Sequence, residues 1–288
     1  MNHTRTKLLP IVLASDYNYR KYVETTIKSI MLYHENVHFI LLNKDYPAEW
    51  FIRLNQELLP FQSKIEDKKI AVKDYQNFKT YSYITEATFY RYHIAEIAYD
   101  KVLYLDSDLI VTGSLDSLYE TDIEDYGLGA VADTCVRYFH GKKEFNAGVL
   151  LINNRKWKAE RVLEKALLIH QDSRVELPDA DQTVLNMLFK DNWLELDPTY
   201  NVQVCAVFPG IGKKYGLYRG VILHFTTRAK PYTKARIFIR TGFKHWRKKE
   251  ISLKTYLKNI YEVPFADDWH QVHQLSWDEI VQENRREN

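Results

Sequence analysis

The chain has 288 residues, 45% of them hydrophobic and 27% charged, an ordinary balance for a globular protein with one large domain and an appendage, or two small ones. Forty Lys and Arg against 38 Asp and Glu leave a net charge of +2, which together with the absence of RNA-binding motifs counts against a nucleic-acid partner. No apolar run approaches the roughly 18 residues that span a bilayer.

The first apolar run, Leu8 to Ala14, follows a few cations as a signal peptide would. It is too short, contains Pro10 and runs straight into Asp16, Arg20 and Lys21, so it reads as a buried parallel strand. Tyr22, Val23, Thr26, Ile27, Ile30 and Met31 recur at helical spacing, and Val37 to Leu42 is a second strand. Tyr46 to Leu59 predicts a helix that Pro60 ends, Ile70 to Val72 a short strand, and Thr85 to Ala98 a helix with Ala87, Tyr90, Ile94 and Ile97 on one face. Strands follow at Val102 to Leu105, Leu128 to Val131 and Val149 to Ile152. Helices are predicted over Trp157 to His170 and Asp181 to Phe189, and late strands at Trp193 to Leu196 and Val221 to Phe225. Such alternation predicts an α/β fold with a mostly parallel central sheet. After Tyr232 cations accumulate, so a boundary is expected near residue 233: a catalytic domain over 1–232 and a basic helical appendage over 233–288. Between Lys234 and Lys258 the cations alternate with Ile237, Phe238, Phe243 and Trp246, which fits a membrane-surface element and equally a solvated helix packed by one face. Cys135 and Cys205 lack metal-finger spacing and read as two small core residues in a reducing, cytoplasmic location.

The chemistry begins at Asp106-Ser107-Asp108. These residues directly follow an apolar strand, and ligands of open α/β sheets sit beyond the carboxyl ends of strands. Two carboxylates at i and i+2 can reach one hard divalent cation, Mn²⁺ or Mg²⁺, and such an ion can neutralise a departing diphosphate. Solvated turn aspartates would read the same way, and Asp179-Ala180-Asp181 repeats the pattern. Gly127-Leu128-Gly129 with Ala132 imitates a dinucleotide-binding glycine motif. An acidic stretch precedes it and a strand follows, where the motif needs a strand before and a helix after.

Five segments, taken in order, make residues 8 to 232 resemble glycosyltransferase family 8, which includes bacterial lipopolysaccharide galactosyl- and glucosyltransferases and glycogenin. Ile11 to Tyr19, with Ala14, Ser15, Asp16, Asn18 and Tyr19, resembles the family's opening strand and uridine-holding loop. Thr88 to Arg91 supplies the Arg that approaches the donor; Asp106, Ser107 and Asp108 form the metal motif. Phe145 to Asn153 borders the family's sugar pocket through Asn146 and Ala147, with Gly148 allowing close approach. Leu177 to Asn186 resembles the family's Asp-Gln helix start, where Asp181 binds sugar hydroxyls and Gln182 sits by the reacting carbon; N-capping would explain the aspartates equally. His224 to Tyr232 supplies the third metal ligand, His224, and a phosphate-gripping Lys230. Thr227 replaces a usual Gly, Tyr232 a usual Trp, and Thr183 a frequent Asp.

The resemblance implies a single GT-A-type, Rossmann-like nucleotide-sugar-binding domain. It implies retaining transfer of a hexose, glucose or galactose, from a UDP-sugar to a glycan, glycolipid or glycoprotein. Asp106, Asp108 and His224 would hold Mn²⁺ or Mg²⁺, with Gln182, Asp181 and Asn146 at the reacting centre. A non-catalytic nucleotide-sugar-binding protein is the alternative. A nucleotidyltransferase is disfavoured because Ala14 to Tyr22 contains no Gly for a phosphate loop.

Overall fold

A computed structural model of the chain describes residues 7–71, 75, 78, 85–172, 174–206, 219–226, 230, 231, 247, 252–254 and 263–287. The departures at Thr227 and Tyr232, and nearly all of the basic aromatic segment, lie outside them.

Strands β1 (Leu9–Ala14), β2 (Val37–Asn43), β3 (Lys64–Lys69), β4 (Lys101–Leu105), β6 (Leu128–Ala132), β7 (Phe145–Asn153) and β8 (Trp193–Glu195) form one sheet in the order β3-β2-β1-β4-β7-β6-β8. All neighbours are parallel except β7, which runs antiparallel to both β4 and β6. A small second sheet joins β5 (Leu109–Val111), β10 (Ile222–His224) and β9 (Val202–Gln203). The fold is therefore α/β with a mostly parallel central sheet, as the alternating pattern predicts.

Both faces of the large sheet are covered, which is why its inner strands read as unbroken apolar runs. Along β1, Ile11 and Leu13 face a core shared with Ile27 and Ile30 of α1 (Arg20–Met31) and Leu54 of α2 (Ala48–Leu58). Val12 faces the opposite core, with Phe89, Tyr92 and Leu150. Trp157 is fully buried in that second core, and its indole N–H donates to the Gly127 carbonyl at 3.0 Å. Gly127-Leu128-Gly129 thus leads into a strand rather than a helix, consistent with rejecting it as a nucleotide motif.

Three predicted elements differ. Of the strand expected at Ile70 to Val72, Ile70 and Ala71 lie just beyond β3 and Val72 is outside the described residues; in β3 itself Ile65 is the buried residue of Lys64–Lys69, and charged exposed positions suit a sheet edge. The helix expected over Thr85 to Ala98 is a 3-10 helix at Glu86–Glu96, unusually long for that form. Its side chains are buried around most of its circumference, so packing overrides an amphipathic α-helical repeat. The helix expected over Trp157 to His170 is split into α5 (Asn154–Ala159) and α6 (Val162–Gln171) by Arg161, whose φ is 55°.

Helices α3 (Asp116–Glu120), α4 (Thr134–His140) and α7 (Asp181–Leu188) complete the region up to β8. At the C-terminus α8 (Ala266–Gln274) and α9 (Trp277–Glu287) pack on α1. Trp277 and Ile280 enter the first core, and Asn284 Nδ2 donates to the Met31 carbonyl at 2.8 Å. Among the described residues no helix is long and apolar enough to cross a membrane.

Candidate active site

Topology gathers the site at one edge of the sheet. Parallel strands β1, β4 and β6 end there, at Ala14, Leu105 and Ala132, and antiparallel β7 begins there. Leu105 pairs with Val149, and the Asp106 N–H donates to the Gly148 carbonyl at 2.8 Å, so Asn146, Ala147 and Gly148 stand beside the carboxylate turn. That turn is pinned from behind. The buried Thr26 hydroxyl of α1 donates to the carbonyls of Ser107 (3.2 Å) and Leu109 (2.8 Å), while Ser107 Oγ donates to the Ala14 carbonyl at 3.3 Å.

A cleft of ≈ 300 Å³ opens at this edge. Of the residues singled out in the sequence, Ala14, Ser15, Asp16, Tyr19, Arg91, Asp106, Ser107, Asp108, Asn146, Ala147, Asp181, Gln182, His224 and Lys230 all line it. Asn18 does not: it is exposed, and its backbone N–H donates to Asp16 Oδ1 at 2.9 Å, making Asp16 the N-cap of a short 3-10 turn. The capping reading and the cleft-lining reading of Asp16 therefore both hold.

Asp106, Asp108 and His224 each offer one ligand atom, all within 4.8 Å of one another. His224 Nε2 lies 3.1 Å from Asp108 Oδ1 and 3.6 Å from Asp106 Oδ2. Its other nitrogen, Nδ1, meets the buried Asn201 Oδ1 at 3.0 Å, and Asn201 Nδ2 donates to Asn146 Oδ1 at 2.9 Å. That arrangement orients the ring from behind, as outer partners of ligating histidines do. Gly148 is required here: a Cβ would collide with the His224 ring and stand 2.8 Å from Asp106 Oδ2. Lys230 pairs with Asp108 Oδ2 and donates to the Phe225 carbonyl at 2.7 Å. Burial disfavours the charged form of Asp108, but the facing Lys230 and His224 outweigh it and hold the carboxyl well below its usual range.

On the facing wall Arg91, 5% exposed, ties the cleft together. It donates to the Ala147 carbonyl (2.6 Å) and to Asp106 Oδ1 (3.0 Å), and pairs with Asp181 Oδ2 (3.0 Å). Burial opposes its charge, yet Asp106 and Asp181 keep its pKa above the ordinary value. Asp181 is driven the other way: burial raises its pKa although Arg91 and the Thr88 hydroxyl oppose that. The chain enters α7 through Ala180 at φ 47°, which takes the N-cap position; Asp181 is the first helical residue and turns its carboxylate to Thr88 and Arg91, against the capping alternative for this residue. Gln182 is held at both ends of its amide. Oε1 accepts from the Ala147 N–H (3.0 Å) and Asn146 Nδ2 (3.2 Å), and Nε2 donates to Asp133 Oδ2 (3.1 Å). Thr183, where an Asp is frequent, accepts the Asp179 N–H at 3.0 Å.

Sequence reasoning missed several lining residues. Asp133 directly follows strand β6 as Asp106 follows β4, so the same strand-end signal marks it. Tyr104, Gln203 and Thr226 carry no comparable signal. Asn201 sits behind the lining and is likewise unmarked. Cys135 and Cys205 are not the core residues their spacing suggests but half-buried residues of the cleft wall, with sulfurs 3.5 Å apart.

A family model described as glycosyl transferase family 8 matches residues 10–235. The chain is 36% identical over 274 residues to glycosyltransferase GlyA of Streptococcus pneumoniae, covering 94% of this chain and 36% of that protein. To GlyD of the same organism it is also 36% identical, over 293 residues, covering 96% of this chain and 32% of GlyD. It thus spans about a third of the length of these two relatives. Among solved structures, glycosyltransferase GlyE of Streptococcus pneumoniae superposes with a TM-score of 0.74 at 29% identity, over 96% of this chain and 63% of that one. The galactosyltransferase LgtC in complex with donor and acceptor sugar analogues gives a TM-score of 0.74 at 23% identity over 96% of this chain and all of that one, a likeness of fold.

Proposed function

The chain belongs to glycosyl transferase family 8, and from that premise we propose that it is a retaining, metal-dependent hexosyltransferase. The donor is a UDP-sugar carrying glucose or galactose, and the acceptor a glycan, glycolipid or glycoprotein. The observation that carries this reading is the meeting of Asp106, Asp108 and His224 within 4.8 Å, in the cleft that also holds Asn146, Asp181 and Gln182.

The donor set fits the cofactor. Two carboxylates and an imidazole suit Mn²⁺ better than Ca²⁺, and Asp108 already holds a cationic partner in Lys230. When bound, a divalent ion would neutralise the diphosphate of the donor. Lys230 adds fixed positive charge at the same end of the cleft, where the leaving UDP gains negative charge. Arg91 holds Asp106 and Asp181 in mutual register, and its guanidinium is largely spent on them and on the Ala147 carbonyl. Its part is thus to fix the sugar through those groups. Asp181 and Asn146 offer acceptors and donors to sugar hydroxyls. Gln182 Oε1 already accepts two hydrogen bonds, so an amide that is a poor nucleophile at the outset serves better as a stabiliser of an oxocarbenium-like centre.

The test is nucleotide release from a panel of UDP-sugars, with Mn²⁺ and then with chelator. Metal-dependent UDP release from one or two sugars is expected, and Asp108→Ala should abolish it while the circular dichroism spectrum stays native. A fully active Asp108→Ala variant would remove the metal assignment. Absence of both release and Mn²⁺-dependent UDP binding would overturn the enzyme reading altogether. The basic aromatic segment from Lys234 to Lys258 is the proposed contact with a membrane surface; failure to sediment with anionic vesicles would remove it.

A further inference from the structure

The chain contains two cysteines, 70 positions apart, and folding brings them together. Cys135 lies in the first turn of α4, two residues after Asp133, and Cys205 in the 3-10 turn Val204–Ala206 that follows β9. Their sulfurs are 3.5 Å apart, both residues are half-buried, and both line the cleft. No step of sugar transfer uses a thiol, so the proposed chemistry leaves the pair unexplained.

The surroundings distinguish the two sulfurs. The Thr226 hydroxyl donates to Cys205 Sγ at 2.9 Å, and the two sulfurs share a hydrogen bond in which either can be the donor. Hydrogen bonds to a sulfur favour its thiolate. With Cys135 as the donor, the bond between the sulfurs and that from Thr226 lower the Cys205 pKa against burial, while the same bond and burial raise that of Cys135, so Cys205 is the readier nucleophile. A disulfide bond of about 2.05 Å requires the sulfurs to close by only ~1.5 Å.

We propose that Cys135 and Cys205 form a redox-responsive dithiol in the cleft wall, oxidised by small-molecule disulfides such as oxidised glutathione to an internal disulfide. The Cys205 thiolate attacks one sulfur of the oxidant, forming a mixed disulfide and expelling one glutathione thiolate, which takes up a proton. Cys135 loses its proton to solvent and attacks Cys205 Sγ; the Cys135–Cys205 bond forms and the second glutathione leaves as a thiol. Counting the proton that Cys205 releases on ionising, the protein gives up two electrons and two protons, and the oxidant gains both through solvent.

The bond would tether α4 to the Val204–Ala206 turn. Asp133 caps α4 and anchors Gln182, and Thr226 stands two residues beyond His224, so the tether reaches both sides of the cleft. A resulting fall in transfer rests on reading this cleft as the donor site; formation of the bond does not.

The experiment incubates the full chain with oxidised glutathione, quenches it in acid, and maps peptides without reduction. A peptide pair linked through Cys135 and Cys205, with both free thiols lost and dithiothreitol restoring them, is expected. Cys135→Ser should instead trap one glutathione on Cys205. Free thiols throughout, glutathione adducts alone in the unsubstituted chain, or links only between molecules would each overturn the dithiol. UDP release, measured on the same samples, is expected to fall severalfold on oxidation and recover on reduction. A linked peptide with unchanged release would overturn control of transfer by the bond. A linked peptide with no release in either redox state would count against the transferase reading and leave the dithiol standing.

Discussion

Asp108 and Gly148 show two ways in which one residue serves the cleft. Asp108 provides charge, which the proposed divalent cation would require. Gly148 provides the absence of a side chain, which lets β7 approach the His224 ring. Gly148→Ala should lower UDP release by about a hundredfold, the scale of a 1 Å misplacement, because His224 must move to admit a methyl group. Urea denaturation checks that the fold survives; an active Gly148→Ala variant would show that the ring position is not critical. A residue outside the cleft makes stability depend on pH. His170 stacks on Phe78 with ring centroids 4.2 Å apart, and its Nε2 meets the Tyr92 hydroxyl at 2.9 Å. Burial pushes its pKa down to about 4 from the ordinary 6.5. As pH falls the unfolded chain takes up the proton first, so the stability conferred by neutral His170 is complete above about 6.5 and lost between there and about 4. Urea midpoints for His170→Gln should decline less across that window than those of the unsubstituted chain.

Among the elements, the break between α5 and α6 shows where periodicity misleads. Apolar spacing runs on from Trp157 to His170, yet Arg161 adopts φ 55° and turns the chain. Each half obeys its own packing partner: Trp157 reaches the Gly127 carbonyl, while Val162 and Ala166 join the core beside α7. A left-handed residue with a Cβ costs roughly 1–2 kcal/mol, and a β-branched one is a worse fit still. Arg161 already bears that cost, so Arg161→Gly, which removes it and returns roughly 0.5–1 kcal/mol as unfolded-chain entropy, should raise the urea midpoint slightly, whereas Arg161→Val should lower it. Equal midpoints would mean that the turn relaxes at no cost. Glu86–Glu96 teaches the same lesson differently. Its sequence is that of a helix, but Arg91 must reach Asp106, Asp181 and Ala147 while Phe89 and Tyr92 fill the core. The tighter 3-10 form accompanies both demands.

At the scale of the whole molecule, the described C-terminal helices share the core of the sheet domain. Ile280 is fully buried in the cluster that holds Ile11 and Ile27, and Lys28 Nζ donates to the Leu275 carbonyl at 2.5 Å. The expected boundary near residue 233 can still separate catalytic residues from an appendage, but α8 and α9 pack as part of the same body. Ile280→Ala should therefore cost about 2–5 kcal/mol and shift a single cooperative transition monitored by Trp fluorescence and circular dichroism together. A separate early transition would show that the appendage melts alone.

The sequence by itself determined the α/β alternation, the strand that ends at Asp106, and the five segments whose residues line one cleft. These are local signals: an apolar run, a carboxylate at its end, a helix start. The tertiary structure alone decided which strand ends adjoin. It brought Asp133 to Gln182 across 49 positions, set Asn201 behind His224 across 23, and laid Cys135 against Cys205 across 70. The physical reason is strand pairing: β7 inserts antiparallel between β4 and β6, and β10 pairs with β9 in the second sheet. That topology brings distant side chains into contact through backbone pairing, and no spacing along the chain records it.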